Sequence, residues 1–202
     1  MFISFEGIEG SGKSTLMGAI DRALRAQGRE TVMTREPGGS PFGDTVRGIF
    51  LKPGLTINPL AEVLLVNASR AQLVREVIFP ALEQGHVVLS DRFVHSTLAY
   101  QGYGRGLSLE LVQTICNIAT GGLAPDITLL VDVSCETSRN RLALRSDRRD
   151  RLEHEDEAFH RRVREGYLEL GKRDAKIITI DGERPMDDVV DAAMAALSAV
   201  IV

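Results

Sequence analysis

The sequence predicts an α/β fold in which a five-stranded parallel sheet lies between two layers of helices. Five short apolar runs, rich in β-branched and aromatic residues, alternate with longer segments whose apolar residues recur at helical spacing. Alternation of this kind is typical of a parallel sheet covered by helices on both faces. The five predicted strands are residues 2–5, 31–34, 86–90, 127–133 and 176–180. The predicted helices lie near residues 14–27, 59–84, 108–120, 136–145, 155–172 and 186–200.

The composition fits a single globular domain that spans residues 1–202. The chain has 202 residues, 44% hydrophobic and 26% charged, which is enough apolar material for one core. Its net charge of −4 gives no basic field, so a nucleic-acid polymer is not expected as a partner. No run of 18 apolar residues occurs, so no membrane span is expected. Cys116 and Cys135 form no CxxC pair, and we expect them to be reduced in a cytoplasmic protein.

The first predicted strand leads into the motif Gly-x-x-x-x-Gly-Lys-Ser, and a predicted helix follows it directly. A phosphate-binding P-loop requires this position between strand and helix. The glycines let backbone N–H groups turn toward phosphate oxygens, and the helix N-terminus adds its positive dipole. Lys13 can reach the β- and γ-phosphates of ATP, and the Ser14 hydroxyl can bind Mg²⁺. The expected ATP-binding residues are Gly7, Ile8, Glu9, Gly10, Ser11, Gly12, Lys13, Ser14 and Thr15.

Charged side chains follow two other predicted strands. Arg35 comes after the second strand, and Asp91 and Arg92 come after the third. Ligands of parallel sheets bind at the carboxyl ends of the strands, where a guanidinium fits a phosphate and a carboxylate can hold Mg²⁺. Two simpler alternatives stay open. One is a plain turn with an exposed arginine at Arg35, and the other is a surface ion pair between Asp91 and Arg92.

The predicted helix at residues 59–84 carries more apolar residues than one helix face needs. It is either buried deeply within one subunit or packed on one side against a second subunit. Arg70 lies among these apolar residues, so it is either paired or directed into a ligand cleft.

Residues 139–151 contain six arginines and no lysine. Arginine suits bidentate phosphate contact, so this composition favours a mobile lid, at about residues 143–156, that brings arginine onto a transferring phosphoryl group. The alternative is a solvated helix–turn–helix held by ion pairs between neighbouring turns. The six arginines are Arg139, Arg141, Arg145, Arg148, Arg149 and Arg151.

Several motifs occur in order along the whole chain: GIEGSGKST, TREPGG, NASRAQL, SDRFVHSTLAYQGYGRG, an arginine-rich segment ending in DRLE, and IDGERP. In this combination the chain resembles bacterial thymidylate kinase. The resemblance implies transfer of the γ-phosphoryl group of ATP to dTMP, giving dTDP and ADP, with Mg²⁺ and in a homodimer. Because the P-loop contains no arginine, the resemblance is to members whose catalytic arginine lies in the lid. The implied catalytic residues are Lys13, Arg35, Arg92, Arg145 and Arg151.

The resemblance also implies roles around the acceptor phosphate and sugar. Arg35 and Arg92 would bind the dTMP phosphate, and Asp91 would orient the metal or Arg35. Glu9 would face the deoxyribose 3′-hydroxyl, and the ring of Tyr100 would pack on the sugar.

At the base, the resemblance implies that Arg70 and Thr97 hydrogen-bond the thymine and that Gln101 contacts the base edge. Val66 stands where the family usually has a phenylalanine that stacks on thymine, which removes about 0.5–1.5 kcal/mol of stacking. Phe93 is the candidate to compensate. The full set of implied acceptor-site residues is Glu9, Arg35, Pro37, Val66, Arg70, Arg92, Ser96, Thr97, Tyr100 and Gln101.

Two other functions fit parts of this pattern. One is a kinase of broader pyrimidine nucleoside monophosphate specificity, which Val66 favours. The other is a P-loop nucleotide switch with slow hydrolysis, but a switch gives no reason for two phosphate-binding arginines, Arg35 and Arg92, away from the P-loop.

Overall fold

Five parallel strands form one sheet in the order β2-β3-β1-β4-β5. The computed structural model describes residues 1–144 and 150–198. Each predicted strand is confirmed, with its ends moved by no more than one residue. The strands are β1 Phe2–Glu6, β2 Thr31–Arg35, β3 Val87–Asp91, β4 Ile127–Asp132 and β5 Ile177–Asp181.

The helices cover both faces of this sheet. Two of the segments have π-helical hydrogen bonding and are labelled π1 and π2. The helices are α1 Lys13–Ala26, α2 Pro41–Phe50, α3 Pro59–Leu73, π1 Val74–Ile78, α4 Phe79–Glu83, α5 Val94–Thr97, π2 Leu98–Gly104, α6 Leu109–Thr120, α7 Cys135–Ala143, α8 Glu157–Arg173 and α9 Met186–Ser198.

Separate apolar clusters on the two faces make the fold three-layered. On one face, α1 and α9 pack on the sheet through side chains such as Ile20 and Leu197. On the other face, α3 and α6 pack on it through side chains such as Val63 and Val112. The three central strands β1, β3 and β4 are covered on both sides, so their residues are mostly apolar in continuous runs, whereas the edge strands β2 and β5 are only partly buried.

Helix α2 is the element that the sequence-based prediction missed. Its start carries a clear signal: the Ser40 hydroxyl accepts a hydrogen bond from the Gly43 N–H at 3.0 Å, and Pro41 occupies the first turn. The segment 94–104, which contains two glycines and lies outside every predicted helix, is also helical, as α5 and π2. Gly104 faces Phe159 on α8, whose ring atom lies 2.7 Å from the place of a Cβ, so this position excludes a side chain.

The predicted long helix at 59–84 is a helical run, α3–π1–α4. It is only partly buried: Val63 and Leu73 are inaccessible, whereas Leu60 and Leu64 are 42% and 53% exposed. Deep burial within one subunit therefore does not account for all of its apolar residues. Among the described residues, no helix combines the length and apolar character needed to cross a membrane.

Candidate active site

The glycine-rich motif forms a tight loop between β1 and α1. Gly7, Gly10 and Gly12 all adopt positive φ values, which favour glycine. A Cβ on Gly10 would lie 2.8 Å from the backbone oxygen of Ser138, so helix α7 closes against the loop. Lys13 is 8% exposed, and its Nζ donates to the Ile8 carbonyl at 3.4 Å. Burial, together with the charge of Arg92, lowers the pKa of Lys13.

Ser14 and Asp91 meet at the carboxyl edge of the sheet. The Ser14 hydroxyl donates to Asp91 Oδ2 at 2.6 Å, although the two residues come from different strand–loop units. Burial raises the pKa of the Asp91 carboxyl, but the charges of Lys13 and Arg92 outweigh it, so the pKa lies below its usual value. The hydroxyl and carboxylate oxygens of these two residues are the kind of ligand that Mg²⁺ prefers, and they lie beside a lysine and a phosphate-binding loop. These residues therefore fit a nucleotide-bound Mg²⁺.

Arg92 is the centre of a hydrogen-bond network across the loop. Its backbone has φ 78°, an unusual conformation for an arginine. Its guanidinium donates to Glu9 Oε1 at 2.9 Å, to the Tyr100 hydroxyl at 3.2 Å and to the Tyr167 hydroxyl at 3.0 Å. Tyr100 also donates to Glu9 Oε2 at 2.6 Å. Burial raises the pKa of Glu9, but Arg92 and Lys13 outweigh burial, so the net shift is downward.

Behind this network lies Glu6, a buried carboxylate that sequence analysis did not identify. It accepts hydrogen bonds from the Phe93 N–H at 2.8 Å, from the Ser96 hydroxyl at 2.5 Å and from the Tyr167 hydroxyl at 2.9 Å. Ser96 and Tyr167 also accept hydrogen bonds from Arg92. Glu6 therefore fixes the two hydroxyl groups that hold the Arg92 side chain in place.

One cavity of about 480 Å³ brings most of the predicted site residues together. The lining includes the P-loop and Asp91, and residues from the end of β2, from α2, α3 and α7, and from the 92–101 and 150–153 segments. The predicted residues that line it are Glu9, Gly10, Gly12, Lys13, Ser14, Thr15, Arg35, Pro37, Val66, Arg70, Asp91, Arg92, Ser96, Thr97, Tyr100 and Gln101. Gly7, Ile8 and Ser11 belong to the loop but do not line the cavity.

Arg35 and Arg70 both line this cavity, but they differ sharply in solvent exposure and in the number of their hydrogen-bond partners. The Arg35 side chain is 58% exposed, and its Asp44 partner lies 3.4 Å away. Arg70 is completely buried and donates to Glu36 Oε2 at 2.6 Å through Nη2 and at 2.9 Å through Nε. Its other hydrogen bonds reach Asn67, Cys116, the Phe93 carbonyl and Thr97. Every N–H group of Arg70 thus has a protein partner, and a thymine contact requires one of them to be shared.

The aromatic compensation expected from Phe93 is not found. Phe93 is fully buried, packs edge-on against Phe2 and lies under the Arg70 guanidinium, outside the cavity lining. Val66 does line the cavity, and besides the predicted Tyr100 the cavity has a second aromatic lining residue, Phe50 at the end of α2. Because α2 was not predicted, sequence analysis gave no reason to select Phe50.

Of the two lid arginines assigned to catalysis, Arg145 lies outside the described residues, as do Arg148 and Arg149. Arg151 is 8% exposed and does not line the cavity. Its Nη1 donates to Glu62 Oε1 at 2.5 Å and its Nε to the Phe50 carbonyl at 2.9 Å, while its buried Nη2 has no partner in the described part of the chain. To act on a phosphoryl group, Arg151 must leave Glu62, so its catalytic role stays a prediction.

Several cavity residues were not predicted. Arg47 on α2 donates to the Pro37 carbonyl at 2.9 Å; burial and the nearby charges of Arg35 and Arg92 lower its pKa. Arg141 on α7 donates to the Ser11 and Gly182 carbonyls at 3.2 and 2.9 Å, which ties α7 to the P-loop. The cavity residues missed from sequence are Glu36, Arg47, Phe50, Leu51, Arg141, Asp150, Leu152 and Glu153.

A P-loop at the carboxyl edge of a parallel sheet, with further arginines across the same cavity, defines a P-loop phosphotransferase. The family model for thymidylate kinase matches residues 5–193. The chain is 48% identical over 199 residues to the thymidylate kinase of Deinococcus radiodurans, which covers 98% of this chain and 96% of that protein. It is also 48% identical over 190 residues to that of Kosmotoga olearia, covering 94% and 91%.

A solved structure supports the same assignment. The crystal structure of thymidylate kinase from Ehrlichia chaffeensis superposes with a TM-score of 0.79 and 30% sequence identity, covering 98% of each chain. The chain belongs to the thymidylate kinase family.

Proposed function

We propose that this protein transfers the γ-phosphoryl group of ATP to dTMP, giving dTDP and ADP. The observation that carries the proposal is that one cavity holds both a triphosphate-binding loop and a separate set of arginines. A single-substrate NTPase needs only the first of these features. A kinase whose acceptor is itself a phosphate ester needs both, because the two phosphates must be aligned.

The acceptor phosphate is assigned to the arginines opposite the P-loop. Arg35 and Arg47 flank the Pro37 turn, and Arg92 lies nearer to Glu9. Arg35 and Arg47 both line the cavity, and the positive charge of Arg35 contributes to the lowered pKa of Arg47. An anion between them would relieve this repulsion and gain charge-assisted hydrogen bonds.

Phosphoryl transfer in this site requires alignment and charge stabilisation more than proton transfer. The acceptor oxygen is already anionic, so no general base is needed. Lys13, held by the P-loop, supplies positive charge to the transferring group. Glu9 and Tyr100 are held by Arg92 and together form the wall that would meet the acceptor sugar.

Ser14 and Asp91 are the residues that would hold Mg²⁺, Ser14 directly and Asp91 directly or through water. When bound with ATP, the metal neutralises charge on the β- and γ-phosphates. Their 2.6 Å hydrogen bond keeps both oxygens beside the P-loop before any metal binds.

The lid is proposed to be part of the single domain 1–202 and to span about residues 143–156. Within this span, residues 143–144 and 150–156 are described, and Asp150, Leu152 and Glu153 line the cavity. Closing over the phosphates would exclude water and bring arginine onto the transferring group. Arg145 remains the arginine that we propose for this role.

A homodimer is proposed from an apolar surface on two adjacent helices. Leu60 and Leu64 on α3 are exposed, as are Leu111 and Ile118 on α6. Exposed apolar side chains that lie on neighbouring helices mark an interaction surface more often than isolated ones do. The cytoplasmic location remains a prediction, and it rests on two cysteines that are both free thiols.

The function is tested by measuring ADP release with ATP, Mg²⁺ and a panel of acceptors: dTMP, dUMP, dCMP, dGMP, dAMP, UMP and thymidine. We expect a strong preference for dTMP. Comparable rates with dUMP or dCMP would show a broader pyrimidine kinase, consistent with Val66 in place of an aromatic ring. Slow ATP loss that no acceptor stimulates would contradict the proposal and support a nucleotide switch.

A further inference from the structure

Glu62 on α3 is a carboxylate outside the cavity lining that pairs with two arginines. It is completely buried and belongs to the first turn of its helix. Arg105 donates to Oε2 at 3.2 Å and to Oε1 at 3.0 Å, and Arg151 donates to Oε1 at 2.5 Å. Gln101 Nε2 donates to Oε2 at 3.1 Å. A carboxylate has about four acceptor positions, so these four hydrogen bonds satisfy Glu62 completely.

The bond to Gln101 fixes the direction of that amide. A carboxylate oxygen only accepts, so the Gln101 group that faces Glu62 must be its NH₂. The carbonyl oxygen, Oε1, has no hydrogen-bond partner within residues 1–144 and 150–198, and it is not among the fully buried unpaired atoms. Because Gln101 lines the cavity, Oε1 is the polar atom that it offers to a ligand.

An oxygen at this place discriminates among pyrimidines. On the edge of thymine that lies away from the sugar, O2 and O4 are acceptors, and only N3–H is a donor. An accepting oxygen therefore has to face N3–H. Cytosine carries a lone pair at N3, which such an oxygen repels.

We propose that Glu62 is a positioning residue for acceptor specificity. By holding the Gln101 amide nitrogen, it presents Oε1 to the base and selects thymine and uracil over cytosine. Glu62 does not line the cavity, so it acts through Gln101. This inference rests on the proposed function, since it assumes that a pyrimidine monophosphate is the acceptor.

The test is Glu62→Gln, with kcat/KM measured for dTMP and for dCMP. An amide at position 62 can donate to Gln101 Oε1, which lets Gln101 turn and present its NH₂ to the base. Loss of a charge-assisted hydrogen bond corresponds to at least about a tenfold change. We therefore expect the dTMP-to-dCMP ratio of kcat/KM to fall by about tenfold or more. We also expect kcat/KM for dCMP itself to rise, a gain that a merely structural defect does not produce.

Glu155→Gln is the matched control. Glu155 also accepts from Arg105, at 2.6 Å, but has no bond to Gln101, so this variant should keep the wild-type ratio. Glu62→Gln removes the carboxylate that pairs with Arg105 and Arg151, so this variant is at risk of failing to fold. The variant E62Q/R105Q removes one positive charge together with the negative one, which keeps the cluster neutral, and Arg105→Gln is its own comparison.

The outcomes separate the two proposals. The role of Glu62 would be overturned if a folded E62Q or E62Q/R105Q variant kept the wild-type dTMP-to-dCMP ratio of kcat/KM. It would also be overturned if such a variant lost dTMP activity without gaining dCMP activity. A wild-type protein that transfers no phosphoryl group to dTMP would instead overturn the proposed function. The melting temperature of each variant is measured alongside, so that loss of fold is recognised.

Discussion

The two ends of the cavity use arginine in opposite ways. At the phosphate end, Arg35 is largely exposed and has one long contact with Asp44. At the base end, Arg70 is buried and donates to the buried carboxylate Glu36, and Arg151, outside the cavity lining, donates in the same way to Glu62. The first arrangement leaves guanidinium groups available to an anion. The second uses them to hold buried carboxylates in place, so the role of each arginine depends on its partner.

The largest expected effect is the loss of stability on breaking the buried ion pair between Arg70 and Glu36. Arg70→Ala leaves the Glu36 carboxylate buried without its partner, which should lower the free energy of unfolding by about 3–5 kcal/mol. Arg35→Ala breaks only an exposed contact and should change it by less than about 1 kcal/mol. Chemical denaturation of both variants checks the comparison. Similar losses of stability in the two would show that the distinction between the ends is wrong.

Catalysis should depend on Lys13 far more than stability does. Lys13→Ala removes positive charge from the transferring group and should lower kcat by about 10²–10³, as for loss of one transition-state donor. The far-ultraviolet circular dichroism spectrum should stay that of the wild type. Lys172→Ala, which removes an exposed lysine paired with Glu169, serves as the control. Near-normal turnover of a folded Lys13→Ala variant would contradict the P-loop assignment.

At the phosphate end, Arg35→Ala should raise KM for dTMP and leave KM for ATP almost unchanged. Loss of a charge-assisted contact predicts a rise of about tenfold or more. Arg47→Ala should behave in the same way, because Arg47 lines the same cavity as Arg35 and donates to the Pro37 carbonyl. Steady-state kinetics with each substrate varied in turn make the measurement, with Arg161→Ala on the exposed face of α8 as control. Equal changes in both KM values would argue against an acceptor-phosphate site here.

The smallest effect is a pH dependence of stability at Asp91. The folded pKa of Asp91 lies below its usual value of about 3.9. Its contribution to stability is therefore fully present above that usual value and is lost as the pH falls through the folded pKa. The difference in unfolding free energy between wild type and Asp91→Asn, about 1 kcal/mol, should be constant from pH 7 to about pH 5 and shrink below pH 4. A difference that grows on acidification would have the wrong sign.

The sheet was predictable because its central strands are covered on both faces and form apolar runs, while the partly buried edge strands are rich in β-branched residues. Helix α2 was missed because its apolar residues were not read at helical spacing, although Ser40 and Pro41 marked its start. Because α2 was not predicted and neither Arg47 nor Phe50 belongs to a motif, these two cavity-lining residues were not predicted either. The 94–104 segment was read as a loop because its glycines, which are needed for close packing against α8 and Leu109, suggested turns.

By itself the sequence determined the phosphate-binding loop of the site. The P-loop is a local motif of nine consecutive residues between the end of β1 and the start of α1. Because these neighbouring residues set its geometry, their spacing in the sequence is enough to predict phosphate binding. Only the tertiary structure decided the base end. Arg70 meets Glu36 across 34 residues, and Arg151 meets Glu62 across 89. Which buried charge finds which partner depends on how the helices pack, and no local pattern records it.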